Sequence, residues 1–568
     1  MEQIFIQLGI ILFTAFVVSY IVRAFKQPIV IGYIIAGMII SPYIISFGAS
    51  KETLDLFSQF GIAFLLFMVG LHMNPKVIKE IGATSLIIGI VQMLLTFSLG
   101  FFISLVIGFN NITAAFIGIA LAFSSTIITM KLLSDKKQID SLYGKISIGV
   151  LIIQDVIAIA ILIFISSISN GNNSDSLTFN GLFFGLGLII TLFLLGFFVL
   201  PKIIKKIAQS QELLFLFSIT WAFVIAALFS YIGFSIEVGA LIAGVVLSIS
   251  PYTMEISSKI RPLRDFFLII FFIILGFNIP ILNINSIIIN ALIFSIIALI
   301  FKPIILMSIT AMLGYTKRTN FLVGTTLGQI SEFSLIVLGL GVSKGLISGE
   351  ILSTLTLTGV ITITLSTYMI IYSNELYKKM LNFAFVFEKK EVRKKSRTKR
   401  KYDAILFGYN RIGFSILHKL KKIRKNYLVV DFNPETISTL SKFKIPSVYG
   451  DAYDNDFLSE LSLEKIKLMV STIPDFETNM VLIQSVRAVN PKAIIIVRSH
   501  EVKEAFELYR MGASYVLTPY FLGGEYVGKM IEKFEINRED YKREKKKHLI
   551  FLKEIAQRGK RHPEIEKG

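Results

Sequence analysis

Ile148-Gly149-Val150-Leu151-Ile152-Ile153-Gln154-Asp155-Val156 places a carboxylate in the middle of an apolar run that extends over about residues 144–168. A helix of that length spans about 30 Å of hydrocarbon. An acidic side chain at that depth is costly and marks an ion or proton path. Asp155 is therefore the first candidate site residue. A carboxylate that holds either a proton or a cation exchanges one for the other, provided it faces one side of the membrane at a time.

The surrounding composition agrees. Of the 568 residues, 54% are hydrophobic, and the mean hydropathy is +0.70, an average that a charged, water-facing surface does not allow. Apolar runs at about 3–22, 27–42, 54–71, 83–108, 112–133, 144–168, 178–200, 212–232, 235–250, 265–283, 286–310, 318–342 and 351–372 read as about thirteen spans. Basic residues crowd alternate connections, for example Arg23 and Lys26, Lys136 and Lys137, Lys205 and Lys206, and Lys317 and Arg318. The intervening connections hold only Lys51 and Lys344. Basic loops stay cytoplasmic. This predicts a multi-pass protein of the cell membrane with its N-terminus outside and everything after about residue 373 inside. Met1-Glu2-Gln3 lacks a basic n-region, so the first run is expected to remain as a span. The absence of Cys excludes disulfides and thiolate metal ligands.

Two spans are interrupted by polar residues, at Phe123-Ser124-Ser125-Thr126 and at Thr325-Thr326-Leu327-Gly328-Gln329-Ile330-Ser331-Glu332. Unwound helix ends of this kind meet ions in protein-lined cavities. The other reading is ordinary hydroxyl bonding to a neighbouring turn. Setting Phe116 against Phe321 brings the two breaks into register and suggests two inverted repeats. Lys302, before Pro303, is expected either to pair with Asp155 and release it when a cation arrives, or to form a purely structural pair with it, or to reach for the cytoplasm. One carboxylate favours one proton per cation.

Five further motifs accompany Gln154-Asp155. They are Pro28-Ile29-Val30-Ile31-Gly32-Tyr33-Ile34-Ile35-Ala36-Gly37, Ser124-Ser125-Thr126, Gly239-Ala240-Leu241-Ile242-Ala243-Gly244, Lys302, and Gly328-Gln329-Ile330-Ser331-Glu332-Phe333. With them the chain resembles the monovalent cation:proton antiporter-2 family, and within it the Kef-type potassium/proton antiporters, over about residues 5–520. The resemblance implies a polytopic α-helical fold of about thirteen spans with two broken crossing helices, built from core and dimerisation domains in a homodimer. It implies that Asp155 carries the ion and proton, with Gln154, Ser124, Ser125, Thr126, Lys302, Gln329, Ser331 and Glu332 around it. Gln beside Asp implies potassium rather than sodium. In the glutathione-gated members a cytoplasmic loop is acidic where this chain has Lys259 and Arg261, so glutathione gating is not carried over. His72 stands where the family commonly has Glu, and reads as a pH sensor or as a solvated loop residue.

After the membrane part (1–375) comes a basic linker (376–401), in which nine of residues 389–401 are Lys or Arg. It reads as a stop signal that contacts anionic lipid rather than nucleic acid. Residues 402–521 alternate short apolar strands with amphipathic helices, and 522–568 form a charged helical tail. The first strand leads into Gly408-Tyr409-Asn410-Arg411-Ile412-Gly413, and Asp431 closes the next strand, which is the frame of a Rossmann phosphate turn and its ribose carboxylate. With Gly450-Asp451-Ala452, this part resembles the RCK or TrkA-N regulatory domains. The site residues implied are Gly408, Tyr409, Asn410, Arg411, Ile412, Gly413, Asp431, Asp451 and Ala452, binding AMP or NAD(H). Asn410 replaces the middle Gly of the fingerprint, which favours a mononucleotide or a domain that binds nothing. No acid, base or nucleophile set points to an enzyme, and no metal is expected beyond the transported cation. The rivals are a sodium/proton antiporter of the same fold, a nucleotide-gated potassium channel, for which no T-V-G-Y-G-like loop is found, and a sensor that no longer transports.

Overall fold

The computed structural model describes residues 2–44, 51–72, 83–136, 138–139, 141–167, 191–192, 194–196, 198–232, 236–248, 250, 252–279, 284–380, 402–409, 411–423, 426–453 and 455–559. The chain forms two compact units. One is Met1–Ile139, Tyr143–Ile309 and Phe321–Lys379; the other is Asp140–Leu142, Thr310–Asn320 and Met380–Gly568.

The first unit is helical. Its elements are α1 (Glu2–Ala24), α2 (Ile29–Ile44), α3 (Lys51–His72), α4 (Ala83–Ile107), α5 (Asn111–Ala122), α6 (Thr126–Asp135), α7 (Leu142–Ser167), α8 (Leu200–Ile207), α9 (Gln211–Tyr231), α10 (Ile236–Leu247), α11 (Thr253–Phe277), α12 (Ile284–Ile296), α13 (Lys302–Met312), α14 (Lys317–Thr326), α15 (Glu332–Ser343), α16 (Gly349–Ile371) and α17 (Ser373–Lys379), of which α7, α13 and α14 include residues of the second unit. Among the described residues, six helical stretches are long and apolar enough to cross a membrane, and five apolar helices are shorter. The run expected at 178–200 lies largely outside the described residues.

Close helix crossings explain two of the glycine-bearing motifs. A Cβ on Gly37 would run into the Ile273 carbonyl, and one on Gly244 into the Phe67 carbonyl. Only glycine lets α2 approach α11, and α10 approach α3, that closely. Between α12 and α13, residues Ile297–Phe301 form a π-helical turn. Its cause is local: Pro303 has no N–H, and its ring crowds the carbonyl of Leu299. The wider turn absorbs that conflict and delivers Lys302 to the interior, where it is fully buried.

The second unit contains a parallel sheet of β1 (Ala404–Phe407), β2 (Tyr427–Asp431), β3 (Ser447–Tyr449), β4 (Leu468–Ser471), β5 (Ile494–Arg498) and β6 (Tyr515–Leu517), in the order β3-β2-β1-β4-β5-β6. The strands are apolar and covered on both sides by two buried clusters, as a parallel sheet requires. This is the Rossmann strand order, and its topological switch point lies between β1 and β4. The basic linker beyond residue 380 lies outside the described residues. Two helices, Pro519–Phe534 and Arg538–Gly559, follow β6.

Candidate functional site

Serine N-caps restart both broken helices. Asn110 caps the start of α5, its side chain accepting the Thr113 N–H at 2.8 Å. The chain then leaves helical geometry at Phe123 and restarts at α6, where Ser125 Oγ accepts the Ile128 N–H. Ser331 caps α15 in a capping box with Ser334. The two breaks cross. Ser124 Oγ donates to the Leu327 carbonyl at 3.0 Å, Gln329 Nε2 to Thr129 Oγ1 at 2.9 Å, and Ser334 Oγ to the Ala120 carbonyl at 2.6 Å. Two hydroxyls and one amide therefore bond between the two crossing segments, whereas the hydroxyls of Thr325 and Thr326 bond back to the Phe321 and Leu322 carbonyls of their own helix.

Lys302 does not pair with Asp155, contrary to both the functional and the structural pair expected above. Its ammonium donates to the carbonyls of Leu121 (3.2 Å), Phe123 (2.6 Å) and Gln329 (2.9 Å). Leu121 and Phe123 stand at the C-terminal end of α5, which carries the partial negative charge of a helix end. Gln329 lies in the other break. One cation thus satisfies carbonyls that the unwinding of both helices leaves without N–H partners.

Asp155 bonds instead to Thr126, whose Oγ1 lies 3.2 and 3.3 Å from the carboxylate oxygens. Glu332 opens α15 and accepts from Ser331 Oγ at 3.4 Å, and from the Ser125 side chain and the Ile127 N–H. Asp155 and Glu332 are both half-buried, and Glu332 acts electrostatically on Asp155. The crossing therefore holds two carboxylates among the hydroxyls of Ser125, Thr126 and Ser331, an oxygen-rich setting suited to a proton or an alkali cation. The sequence argument for one proton per cation counted only one carboxylate.

Gln154 is placed differently from the expectation. It is fully buried. Its amide oxygen accepts the Ser124 N–H at 2.8 Å, and its amide nitrogen donates to Gln92 Oε1 at 2.6 Å. Gln92, also fully buried, donates to the Ala122 carbonyl and to Thr96 Oγ1, each at 3.1 Å. Gln92 was not picked out from the sequence; an isolated buried-looking amide in the apolar run 83–108 was the available signal.

In the second unit, Gly408 has φ +86°, in the region that favours glycine. A Cβ on Gly413 would strike the Gly408 carbonyl, so the helix Arg411–Lys422 packs tightly on the turn. Asp431 accepts the Tyr409 N–H at 2.7 Å and the Asn433 N–H at 2.8 Å. Thr472 Oγ1 donates to the Gly408 carbonyl at 3.0 Å across the switch point. Asp451 is half-buried and accepts the Tyr453 N–H at 2.9 Å; Ala452 is buried. Ile412 is half-buried beside the turn. Asn410 and the Arg411 side chain lie outside the described residues, as does the side chain of His72. The turn, the close helix and the terminal carboxylate fit a nucleotide. Burial, with Tyr427 nearby, pushes the Tyr409 phenol up to about 12. In the same unit the Arg318 guanidinium stacks 4.2 Å from the centroid of the Tyr453 ring.

Residues 11–371 match the family described as sodium/hydrogen exchanger, transmembrane, and residues 404–519 match the TrkA-N domain. The chain is 26% identical to the glutathione-regulated potassium-efflux system protein KefC of Escherichia coli K12 over 487 residues, 85% of this chain and 77% of that protein. It is 26% identical to YbaL of the same strain over 523 residues, covering 89% and 92%. The solved sodium proton antiporter MjNhaP1 of Methanocaldococcus jannaschii aligns with 66% of this chain and 98% of its own at 16% identity, TM-score 0.47.

Proposed function

This chain belongs to the sodium/hydrogen exchanger, transmembrane family, and from that membership and the site's geometry we propose that it exchanges potassium for protons at Asp155 by alternating access, with nucleotide binding to its TrkA-N domain setting the rate. It is a cation/proton antiporter with an appended regulatory domain, not an enzyme by descent. The observation that carries the proposal is the placing of Asp155 and Glu332, both half-buried, where two broken helices cross.

Protonated, the pair holds no cation. Deprotonated, its carboxylates and the hydroxyls of Ser125, Thr126 and Ser331 offer oxygen ligands. Competition at one site gives exchange when that site opens to one side at a time. The Lys302 ammonium holds the two breaks together, so the crossing is a unit that can move as one body. Basic loops support an N-terminus outside and a cytoplasmic TrkA-N domain. AMP or NAD(H) is the regulatory ligand of the proposal. A homodimer, and anionic lipid at the linker 376–401, complete it.

Proteoliposomes with an internal pH indicator test the reading. An imposed pH gradient should collapse on adding potassium, and less on adding sodium. Asp155→Asn should abolish the response. Equal rates in that variant and the parent would remove Asp155 from the mechanism. A sodium-only response would select the second reading, a sodium/proton antiporter on the same site.

A further inference from the structure

We infer that Gln92 is a positioning residue for exchange, acting with Gln154 as a two-amide brace that fixes the unwound peptide 122–124 and so sets cation preference from outside the ion site. The inference rests on the proposed exchange at Asp155.

The brace is continuous. Gln92 Nε2 holds the Ala122 carbonyl at 3.1 Å, Gln92 Oε1 accepts from Gln154 Nε2 at 2.6 Å, and Gln154 Oε1 takes the Ser124 N–H at 2.8 Å. The last helical carbonyl before the break and an N–H within it are thereby tied to one pair of side chains, carried by α4 and α7. Both glutamines are fully buried. Peptide groups freed by unwinding must find partners in a dry interior, and these two amides supply them. Thr96 takes the second Gln92 donor at 3.1 Å, which fixes the orientation of the amide.

The consequence lies two residues further on. Ser124 is followed by Ser125, which bonds Glu332, and by Thr126, which bonds Asp155. A shift of the 122–124 peptide moves these hydroxyls relative to both carboxylates. Gln154 adjoins Asp155 in sequence, but its amide is spent on the brace. Gln154 and Gln92, which has no bond to Asp155, Glu332 or their hydroxyls, therefore act on the ion site together, through the position of the 122–124 backbone.

The experiment compares the parent with Gln92→Met, Gln154→Met and the double variant in proteoliposomes. Methionine keeps the volume and removes the hydrogen bonds. Each single variant should reduce the potassium-over-sodium preference by about tenfold, the scale of one or two buried hydrogen bonds, through apparent affinity more than maximal rate. The double variant should match the singles, because the two amides act as one element. Hydrogen exchange of the peptide around Ser124 should quicken in Gln92→Met while the melting temperature of the detergent-solubilised protein stays within a few degrees of the parent. Unchanged protection at Ser124 overturns the brace. Quickened exchange with unaltered ion preference overturns the positioning role and leaves a structural one. A parent that moves neither cation overturns the antiporter reading itself, and the assignment of Gln92 falls with it.

Discussion

The Lys302 ammonium sits 2.6 Å from the Phe123 carbonyl and 2.9 Å from the Gln329 carbonyl, so a single side chain bonds to both broken helices. A positive charge bonded to carbonyls at the C-terminal end of α5 is favoured by the helix dipole. Its removal leaves at least two buried carbonyls unsatisfied. Lys302→Met should therefore lower stability by about 3 kcal/mol, given roughly 1–3 kcal/mol for each orphaned buried group. Thermal melting of the detergent-solubilised protein measures this. A variant that melts like the parent yet exchanges nothing would place the ammonium's action at the ion, not at the helix breaks.

Glu332 faces the same crossing as Asp155 and acts on it electrostatically. Two interacting carboxylates titrate as a pair, in two macroscopic steps. The exchange rate of the parent should follow pH through two steps, and that of Glu332→Gln through one, with slower exchange. Asp155→Asn should fall to the background of empty vesicles. If Glu332→Gln reproduces the parent profile at full rate, Glu332 is a capping residue of α15 and takes no part in the site.

Much of this architecture could be read from residues 83–372 because a charge in an apolar run is visible without coordinates. Asp155, Lys302, Glu332 and the two Ser- and Thr-rich breaks all stood out for that reason. The partners did not. An argument from charge pairs Lys302 with Asp155, whereas the negative partners are helix-end carbonyls, which appear only once the ends at Ala122 and Thr326 are located. Gln154 and Asp155 are neighbours in sequence, but successive residues on a helix point about 100° apart, so one meets Gln92 and the other Thr126. In the TrkA-N part, the strand–helix alternation and the glycine frame at Gly408 were legible, while the strand order came only from the structure. The stacking of Arg318 on Tyr453 did not, because the two lie far apart in the chain.

Tyr409 gives the TrkA-N domain a pH dependence of known sign. Burial, with Tyr427 nearby, raises its phenol from about 10 to about 12. A raised folded value means that the native state binds the proton more tightly, so this contribution is complete below about pH 10 and is lost as pH rises toward about 12. Urea unfolding followed by circular dichroism between pH 9 and 11.5 should show the parent losing stability faster than Tyr409→Phe, which has no proton to release. Parallel losses in the two proteins would mean that Tyr409 ionises as freely when folded as when unfolded.

Arg318 and Tyr453 carry the last prediction. Arg318 lies in the first turn of α14, and residues Thr310–Asn320 pack with the TrkA-N domain as one compact unit. From there α14 runs on to Thr326, where the second break begins. Tyr453 is the other member of the stack, and its N–H donates to Asp451 of the Gly450-Asp451-Ala452 signature. A nucleotide that shifts this loop would pull on Arg318, and through it on the helix that ends at the site. The stack itself is modest, about 0.5–2 kcal/mol, which suits an element that must switch. Arg318→Ala and Tyr453→Leu should each leave basal exchange near the parent value and still show a melting shift with AMP or NADH. Their exchange rate should no longer respond to that nucleotide. Retention of the full response in both variants would route regulation elsewhere; loss of the melting shift would instead mark Tyr453 as part of the binding pocket.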